Sequence, residues 1–473
     1  MASAPPFQRQ TEPLIALSPF ADPDGVDPAL EDFLHRASSL LCGWLGRSSK
    51  GTPLPGLSAM PAIEPEGVGL SPDRLLADLQ VVMEGSYNPS HPGAIAHLDP
   101  PPLVAGLAAE LICAGLNNNL LAEELSPSLS RLERGLCGWL AGQIGMPASA
   151  GGVAASGGTL SNLMALVVAR QRAGLATNSD GVVLCSDDAH LSLLKALTVM
   201  GLPPQALIRL PVDQEGSMEP MALEETLQAL AHQGRPVIAV VATAGTTVRG
   251  AVDPLGPIAN LCQRFGHWLH VDGAIGAVFA LADHPLSALE GLGQADSITV
   301  NPQKLLGIPK TSSLLLLADP SLLKATFATG LPYMEPSWGL GHGGEEGLQG
   351  TRSAEILKLW LGLRHLGQAG IESLLVGALA RRRRLQELLS VDERLVLRSG
   401  SLHLLAFAPA GLDPAASDIW SRRLRERLMA EGLLLSRPLY QGRHHLKAVL
   451  GNPHTRSQHL EHLATLVLQQ QHP

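Results

Sequence analysis

Between residues 150 and about 320 the sequence carries six short, apolar, largely β-branched runs separated by stretches with helical spacing. They are Val182–Cys185, Ala206–Leu210, Val237–Thr243, Trp268–Asp272, Ser297–Val300 and Ser312–Leu317. Runs this uniformly apolar do not suit a sheet with one wet face. They suit strands covered on both sides by helices, as in a mostly parallel sheet. In such sheets ligands bind outside the carboxyl ends of the strands. Polar and small residues just after these runs are therefore the first candidates for chemistry.

The rest of the chain is organised around this block. Residues 1 to about 30 are Pro-rich and lack a continuous apolar run, which is not the pattern of a secretory signal. Residues 30–47 have helical spacing, and the Pro/Gly-rich stretch 51–71 breaks regular structure. From 72 to about 145 the pattern is mostly helical, with a polar turn around Ser86–Pro92. Residues 320–350 are Gly-rich, a strong helix is expected near Ala354–Leu366, and from about 372 the order reads helix, strand pair, helix, strand pair, helix. The expected division is an N-terminal arm with a helix (1–71), a large domain (72–371, core 150–320) and a small C-terminal α+β domain (372–473).

Charge and cysteine content narrow the partners. With 34 Lys plus Arg against 43 Asp plus Glu, the net charge is −9, which argues against a nucleic acid or an anionic membrane as the main partner. The basic run Arg381–Arg384 lies at helical spacing and reads as a solvated or interface helix face. No run approaches the ~20 apolar residues that span a bilayer. The five cysteines are scattered and show no CxxC spacing, so neither a disulfide framework nor a zinc site is expected, and no other metal. A cytoplasmic protein is the expectation.

Four segments after the strand runs carry candidate chemistry. Ser156-Gly157-Gly158-Thr159 opens a helical stretch, where backbone N–H groups and the helix dipole favour an anion. A Gly-rich turn with a Thr cap reads equally well. In His270-Val271-Asp272-Gly273-Ala274 an acid ends a buried strand. It could hold a proton on a ring nitrogen while the small residues admit a flat ring, or it could cap a helix. Asn301-Pro302-Gln303-Lys304 places a lysine after a strand, where desolvation would free its amine for Schiff-base chemistry. A lysine reaching to solvent is the plainer alternative. In Ser186-Asp187-Asp188-Ala189-His190 the histidine could stack on a ligand ring or serve only as a hydrogen-bonded interface residue.

Taken together, in this order, these segments resemble the group II pyridoxal-phosphate-dependent amino-acid decarboxylases, relatives of the aromatic-amino-acid, glutamate and diaminobutyrate decarboxylases. Asn88-Pro89-Ser90-His91-Pro92, Leu125-Ser126-Pro127 leading to Glu133, Asn162 after the Gly-rich turn, and Ala242–Thr247 belong to the same resemblance. So do Leu348-Gln349-Gly350-Thr351-Arg352, Leu357–Trp360 and Asn452-Pro453. It runs from about residue 70 to the end. It implies an α/β protein of the fold-type I class, with the cofactor on the large domain, and a homodimer.

The resemblance also implies roles. Lys304 would carry the pyridoxal phosphate as a Schiff base. Asp272 would pair with its ring nitrogen, His190 would stack on one face and Ala274 would pack on the other. Gly157, Gly158, Thr159 and Asn301 would hold the phosphate, and Thr246 would contact ring substituents. Arg352 would meet the substrate carboxylate. The Ser86–His97 segment, with His91, would help line the substrate pocket, and its low aromatic content disfavours an aromatic substrate.

Two positions depart from the family pattern. Gln303 stands where relatives have histidine; it can hydrogen-bond but cannot transfer a proton at neutral pH. The stretch 334–350, where relatives have a loop tyrosine that returns a proton, contains none. Tyr333, just before it, and His342, among glycines, are the candidate acids. The implied activity is decarboxylation of an L-amino acid to an amine and CO2. Other pyridoxal chemistry (lyase, transaminase, decarboxylation-dependent oxidative deamination) and a non-catalytic cofactor-binding homologue are the alternatives, and acidic, diamino and small neutral amino acids all stay open as substrates.

Overall fold

The computed structural model describes residues 17–57, 59–330, 338–339 and 341–470. The chain forms two units, Met1–His91 and Pro92–Pro473. In the first, helix α1 (Pro28–Gly46) begins where Asp27 accepts hydrogen bonds from the Ala29 and Leu30 N–H groups, with Pro28 at the first helical position. Helix α2 (Pro72–Glu84) starts the same way, capped by Ser71. Arg36 on α1 pairs with Asp73 on α2. Between them a short 3-10 turn, Ser48–Lys50, precedes the Pro/Gly-rich stretch 51–71, which holds no helix or strand among the described residues.

The second unit opens with α3 (Val104–Leu116) and α4 (Pro127–Ile144). A seven-stranded sheet comes next, built from β1 (Gly151–Ala155), β2 (Val182–Ser186), β3 (Leu207–Leu210), β4 (Val237–Thr243), β5 (Leu269–Gly273), β6 (Ser297–Val300) and β7 (Ser313–Leu317). Their order is β1-β7-β6-β5-β4-β2-β3. The run β6-β5-β4-β2-β3 is parallel, whereas β7 is antiparallel to both of its neighbours. Helices α5 (Gly158–Arg172), α6 (Ser192–Val199), α7 (Pro220–His232), α8 (Leu255–Phe265) and α9 (Ser321–Phe327) alternate with the strands. Every residue of β2, β4, β5, β6 and β7 is buried, which is why these strands read as unbroken apolar runs. All six expected strands are present, each within a residue of its expected ends.

Strand β1 is the one element of the sheet that sequence reading misses. Its Gly151-Gly152 start reads as a loop, because glycine disfavours strands. Here the glycine answers a close approach: a Cβ at Gly152 would lie 2.0 Å from the Leu315 carbonyl oxygen of β7.

The long helix α10 (Ile356–Leu389) is interrupted at Gly367, whose φ of 59° and ψ of 179° are not helical. Beyond it a three-stranded antiparallel sheet, ordered β12-β9-β8, is made by β8 (Leu395–Ser399), β9 (Leu404–Pro409) and β12 (Leu446–Val449). Helices α11 (Pro414–Ala430) and α12 (Ser457–Leu468) cover it around Trp420, Leu424, Phe407 and Leu463; β10 (Leu439–Tyr440) and β11 (Arg443–His444) form a small hairpin. The basic run on α10 stitches this region together. Arg381 donates to Leu450 O (2.9 Å), Arg382 to Leu402 O (3.1 Å), and Arg384 pairs with Glu461 (2.9 Å). Among the described residues no helix is long and apolar enough to cross a membrane.

His403, just before β9, is fully buried against Phe279 (ring centroids 6.0 Å apart), and neither ring nitrogen has a hydrogen-bond partner among the described residues. Burial, with Arg381, Arg382 and Lys447 nearby, pushes its imidazolium down to about 3.

This packing sets two expected outcomes. Gly152→Ala should lower stability by about 3 kcal/mol in denaturant unfolding, because the obstructing atoms are backbone. Gly135→Ala, in open space on α4, should instead gain roughly 0.5–1 kcal/mol. Because the folded-state pKa of His403 lies below its unfolded value of 6.5, its contribution is constant above pH 6.5 and stability is lost as pH falls toward 3. The drop in Tm between pH 7 and pH 5 should therefore be smaller in His403→Phe than in the parent protein.

Candidate active site

Parallel register brings the carboxyl ends of the central strands side by side: Thr243 of β4 faces Asp272 of β5, which faces Thr299 of β6. Just beyond them lies a cavity of about 230 Å³. Its walls are Gly158, Thr159, Asn162, His190, Thr243, Gly245, Thr246, Thr247, Asp272, Ala274, Ile275, Asn301, Gln303 and Lys304. Four segments that stand apart in the sequence thus converge on one space, and Gly157 stands beside it as the N-cap of α5.

The carboxylate of Asp272 is fixed from two sides. Asn162 Nδ2 donates to its Oδ2 (2.8 Å) and the Ala274 N–H to its Oδ1 (3.2 Å). Asn162 is a buried junction. The same Nδ2 donates to Ser192 Oγ (2.9 Å), while its Oδ1 accepts from Thr299 Oγ1 (2.6 Å) and His270 Nε2 (3.1 Å). His270 continues the chain through Nδ1 to Ser297 Oγ (2.9 Å), which also accepts from Trp268 Nε1 (2.9 Å). Burial holds the His270 imidazole well below its ordinary pKa, so it is a neutral spacer. Asn162 belongs to the sequence pattern without a role attached, and nothing in the sequence marks His270, Ser192 or Thr299. Their function depends on contacts that only the fold creates.

Lys304 ends a short 3-10 turn, Pro302–Lys304, directly after β6. Burial pushes its ammonium below the ordinary lysine range, opposed by Asp272 and then Asp99. His190 Nδ1 accepts the Ser192 N–H (3.2 Å), which leaves the ring proton on Nε2. Burial lowers its pKa too, with Asp272 opposing. Gln303 is engaged by the chain itself: its Oε1 accepts the Ser312 N–H (2.6 Å). Thr246 Oγ1 accepts the Ala251 N–H (3.1 Å).

The donor set fits pyridoxal phosphate. Ala274 and His190 line the same cavity as a strand-end carboxylate. Among the described residues no side chain caps α5, a helix of 15 residues whose N-terminus opens here. A Cβ at Gly158 would lie 2.9 Å from Asn301 Nδ2 and 3.5 Å from Ala274 Cβ, so only glycine leaves the backbone approachable. With its nitrogen toward Ser313 Oγ (2.7 Å), the Asn301 amide presents its oxygen to the Gly158 N–H (3.3 Å). Thr243 Oγ1, buried in the cavity wall, has no hydrogen-bond partner among the described residues.

Other expected site residues fall elsewhere. Arg352 does not offer its fork to a ligand: its two terminal nitrogens bind both oxygens of Glu133 at 2.7 Å, with both side chains buried. That corrects the expectation of a free carboxylate-binding arginine. His342 is drawn inward rather than displayed on a lid; the ring is buried and Nδ1 accepts the Glu123 N–H (3.2 Å). His91 belongs to the first unit, where its amide bonds to Asn88 O (3.3 Å). Tyr333 lies outside the described residues. No cluster of metal-ligating side chains is present among the described residues.

Comparison with known proteins agrees with this geometry. The family model described as "Pyridoxal-dependent decarboxylase conserved domain" matches residues 68–407. The chain is 34% identical over 425 residues to an L-2,4-diaminobutyrate decarboxylase of Rhizobium meliloti (strain 1021), covering 88% of this chain and 84% of that protein. It is 31% identical to the cysteine sulfinic acid decarboxylase of Rattus norvegicus, covering 73% of this chain and 71% of the relative. Among solved structures, mouse CSAD in apo form superposes with a TM-score of 0.86 at 27% identity, covering 94% of this chain and 100% of that one. Oryza sativa TDC with PLP and tryptamine shares the fold, with a TM-score of 0.88 at 23% identity and 96% and 99% of the two chains covered. Four strand-end segments, one cavity and a family match across most of the sequence lead to the same place: the chain belongs to the pyridoxal-dependent decarboxylases.

Proposed function

We propose that Lys304 carries the pyridoxal phosphate of this decarboxylase, and that the cavity at the strand ends is where an L-amino acid loses its α-carboxylate as CO2 and leaves as the amine. The observation that carries the assignment is the convergence of Lys304, Asp272 and His190 on one cavity beside an open helix N-terminus. When bound, pyridoxal phosphate supplies an electron sink for the pair of electrons left on carbon as CO2 departs. The chain's own groups do the rest. Lys304, held toward its neutral form, is the nucleophile. Asp272, clamped by Asn162, keeps a proton on the ring nitrogen. His190 and Ala274 bracket the ring, Gly157, Gly158, Thr159 and Asn301 bind the phosphate, and Thr246 meets a ring substituent. Gln303 binds and orients but moves no proton.

In this reading Arg352 is a positioning residue. Through Glu133 it ties α4 to the segment leading into α10. The small domain (372–473) is supported by its own apolar core around Phe407, Trp420 and Leu463, whereas the arm expected to end at residue 71 extends instead to His91. The chain acts as a homodimer, an assembly supported by apolar side chains left exposed along α3: Val104, Leu111, Ile112 and Leu116. A cytoplasmic location is supported by five unpaired cysteines.

Two experiments test these assignments. Borohydride reduction of the cofactor-loaded protein, followed by peptide mapping, should place the label on Lys304. Lys304→Ala should lose the label and all CO2 release across an amino-acid panel, and recovery of aldehyde instead of amine from the parent protein would point to oxidative deamination. Glu133→Ala should cost roughly 3–5 kcal/mol of stability by stranding a buried guanidinium, while Glu133→Leu combined with Arg352→Met should recover most of it. Equal losses in the single and double variants would mean that Arg352 works outside the pair.

A further inference from the structure

A histidine that faces a flat ring works only at a set height and tilt, and a misplacement of about 1 Å can cost ~100-fold in rate. His190 reaches the cavity on the turn that leaves β2 after Ser186. The turn is tied at its base, where the Asp187 N–H donates to Leu210 O (2.9 Å) and the Ala189 N–H to Ser186 O (3.1 Å). At its tip the restraint comes from a distant part of the chain. Tyr440 of β10, 252 residues further on, donates its hydroxyl to Asp188 Oδ2 at 2.7 Å. A donor to an ionised carboxylate makes one of the stronger hydrogen bonds, and its loss strands a buried group.

Tyr440 is itself held in place. Its side chain is buried, its backbone pairs with Arg443 of β11, and its ring stands edge-on to His445 (centroids 5.6 Å apart, 73° between planes). Burial, and then the bond to Asp188, push its hydroxyl up to about 12, so it keeps the proton it donates. The charge of buried Arg249 acts on both partners and favours the ionised Asp188. Arg249 also donates from Nη2 to Gln214 O (2.7 Å). It follows directly on the turn that carries Thr246 and Thr247 into the cavity wall. The Tyr440 hydroxyl therefore stands between two segments of that wall. The β10–β11 hairpin lies outside both larger sheets, and its tyrosine is what it brings to the His190 turn.

We propose that Tyr440 is a positioning residue for the decarboxylation: through Asp188 it fixes the turn that sets His190 over the cofactor ring. This rests on the decarboxylase reading and adds a residue of the small domain, far from the cavity in sequence, to the parts that govern turnover.

Cofactor-loaded Tyr440→Phe tests this, because it removes one oxygen and keeps the ring. Circular dichroism at the visible band of the bound cofactor reads the surroundings of its ring without turnover. That signal should change in Tyr440→Phe and in Asp188→Ala, and stay parental in Asp188→Asn, whose amide oxygen still accepts the hydroxyl. With the amino acid that the parent protein converts fastest, kcat should fall roughly 10- to 100-fold in Tyr440→Phe while KM stays within about 3-fold. Asp188→Ala should show the same loss, the double variant should lose no more, and Asp188→Asn should recover most of the rate. In a His190→Gln background, Tyr440→Phe should cost less than about 3-fold, since the side chain it positions is gone.

A parental dichroism signal and kcat in Tyr440→Phe, additive losses in the double variant, or an undiminished loss in the His190→Gln background would each overturn the proposal. So would loss of bound cofactor, or failure of both Tyr440→Phe and Asp188→Ala to fold, because either would make the bond a support of the fold alone. Borohydride labelling of Lys304 in the parent protein separates this from failure of the decarboxylase reading: with the label present and amine released, a negative result condemns only the role of Tyr440.

Discussion

One buried amide holds the site together. Asn162 reaches from the first turns of α5 to Asp272 on β5, Thr299 on β6, His270 on β5 and Ser192 on α6. A carboxylate at a strand end would otherwise rotate or turn to the nearest backbone donors. Here its direction is set by a side chain whose own four bonds are satisfied, and a fully satisfied network in a low-dielectric interior resists distortion. The parallel sheet brings strand ends together; the amide decides where the acid points.

Burial acts on the basic groups around this acid. His270 and His190 are both held below their ordinary pKa by burial, and Lys304 is held below its own. Gln303, which does not titrate, gives its oxygen to a backbone amide.

Much of this is legible in the sequence because burial on both faces writes itself there as unbroken apolar runs. Val237–Thr243 and Ser297–Val300 can be located to the residue. The strand-end lysine, acid and histidine are legible for the same reason, since the residues just past such a run must lie at the ligand edge. Strand β1 is hidden because close backbone contact demands glycine where a strand would ordinarily carry bulk. Arg352 reads as a ligand-binding residue because its true partner, Glu133, lies 219 residues away in sequence. The reach of Asn162 is invisible for a like reason, since its partners are separated from it by 30 to 137 residues.

The reversed strand β7 has a consequence for how such a cavity can change. Because β7 runs against β6, the chain leaving Lys304 turns back at once, and Ser312 and Ser313 arrive beside Gln303 and Asn301. A parallel successor would have carried the chain away to the opposite rim through a crossover helix. The short connection 305–312 therefore both starts and ends at the mouth. Lengthening it would add material over the opening while every ladder of the sheet stayed in register, so this bend is where the molecule can be retailored without being rebuilt.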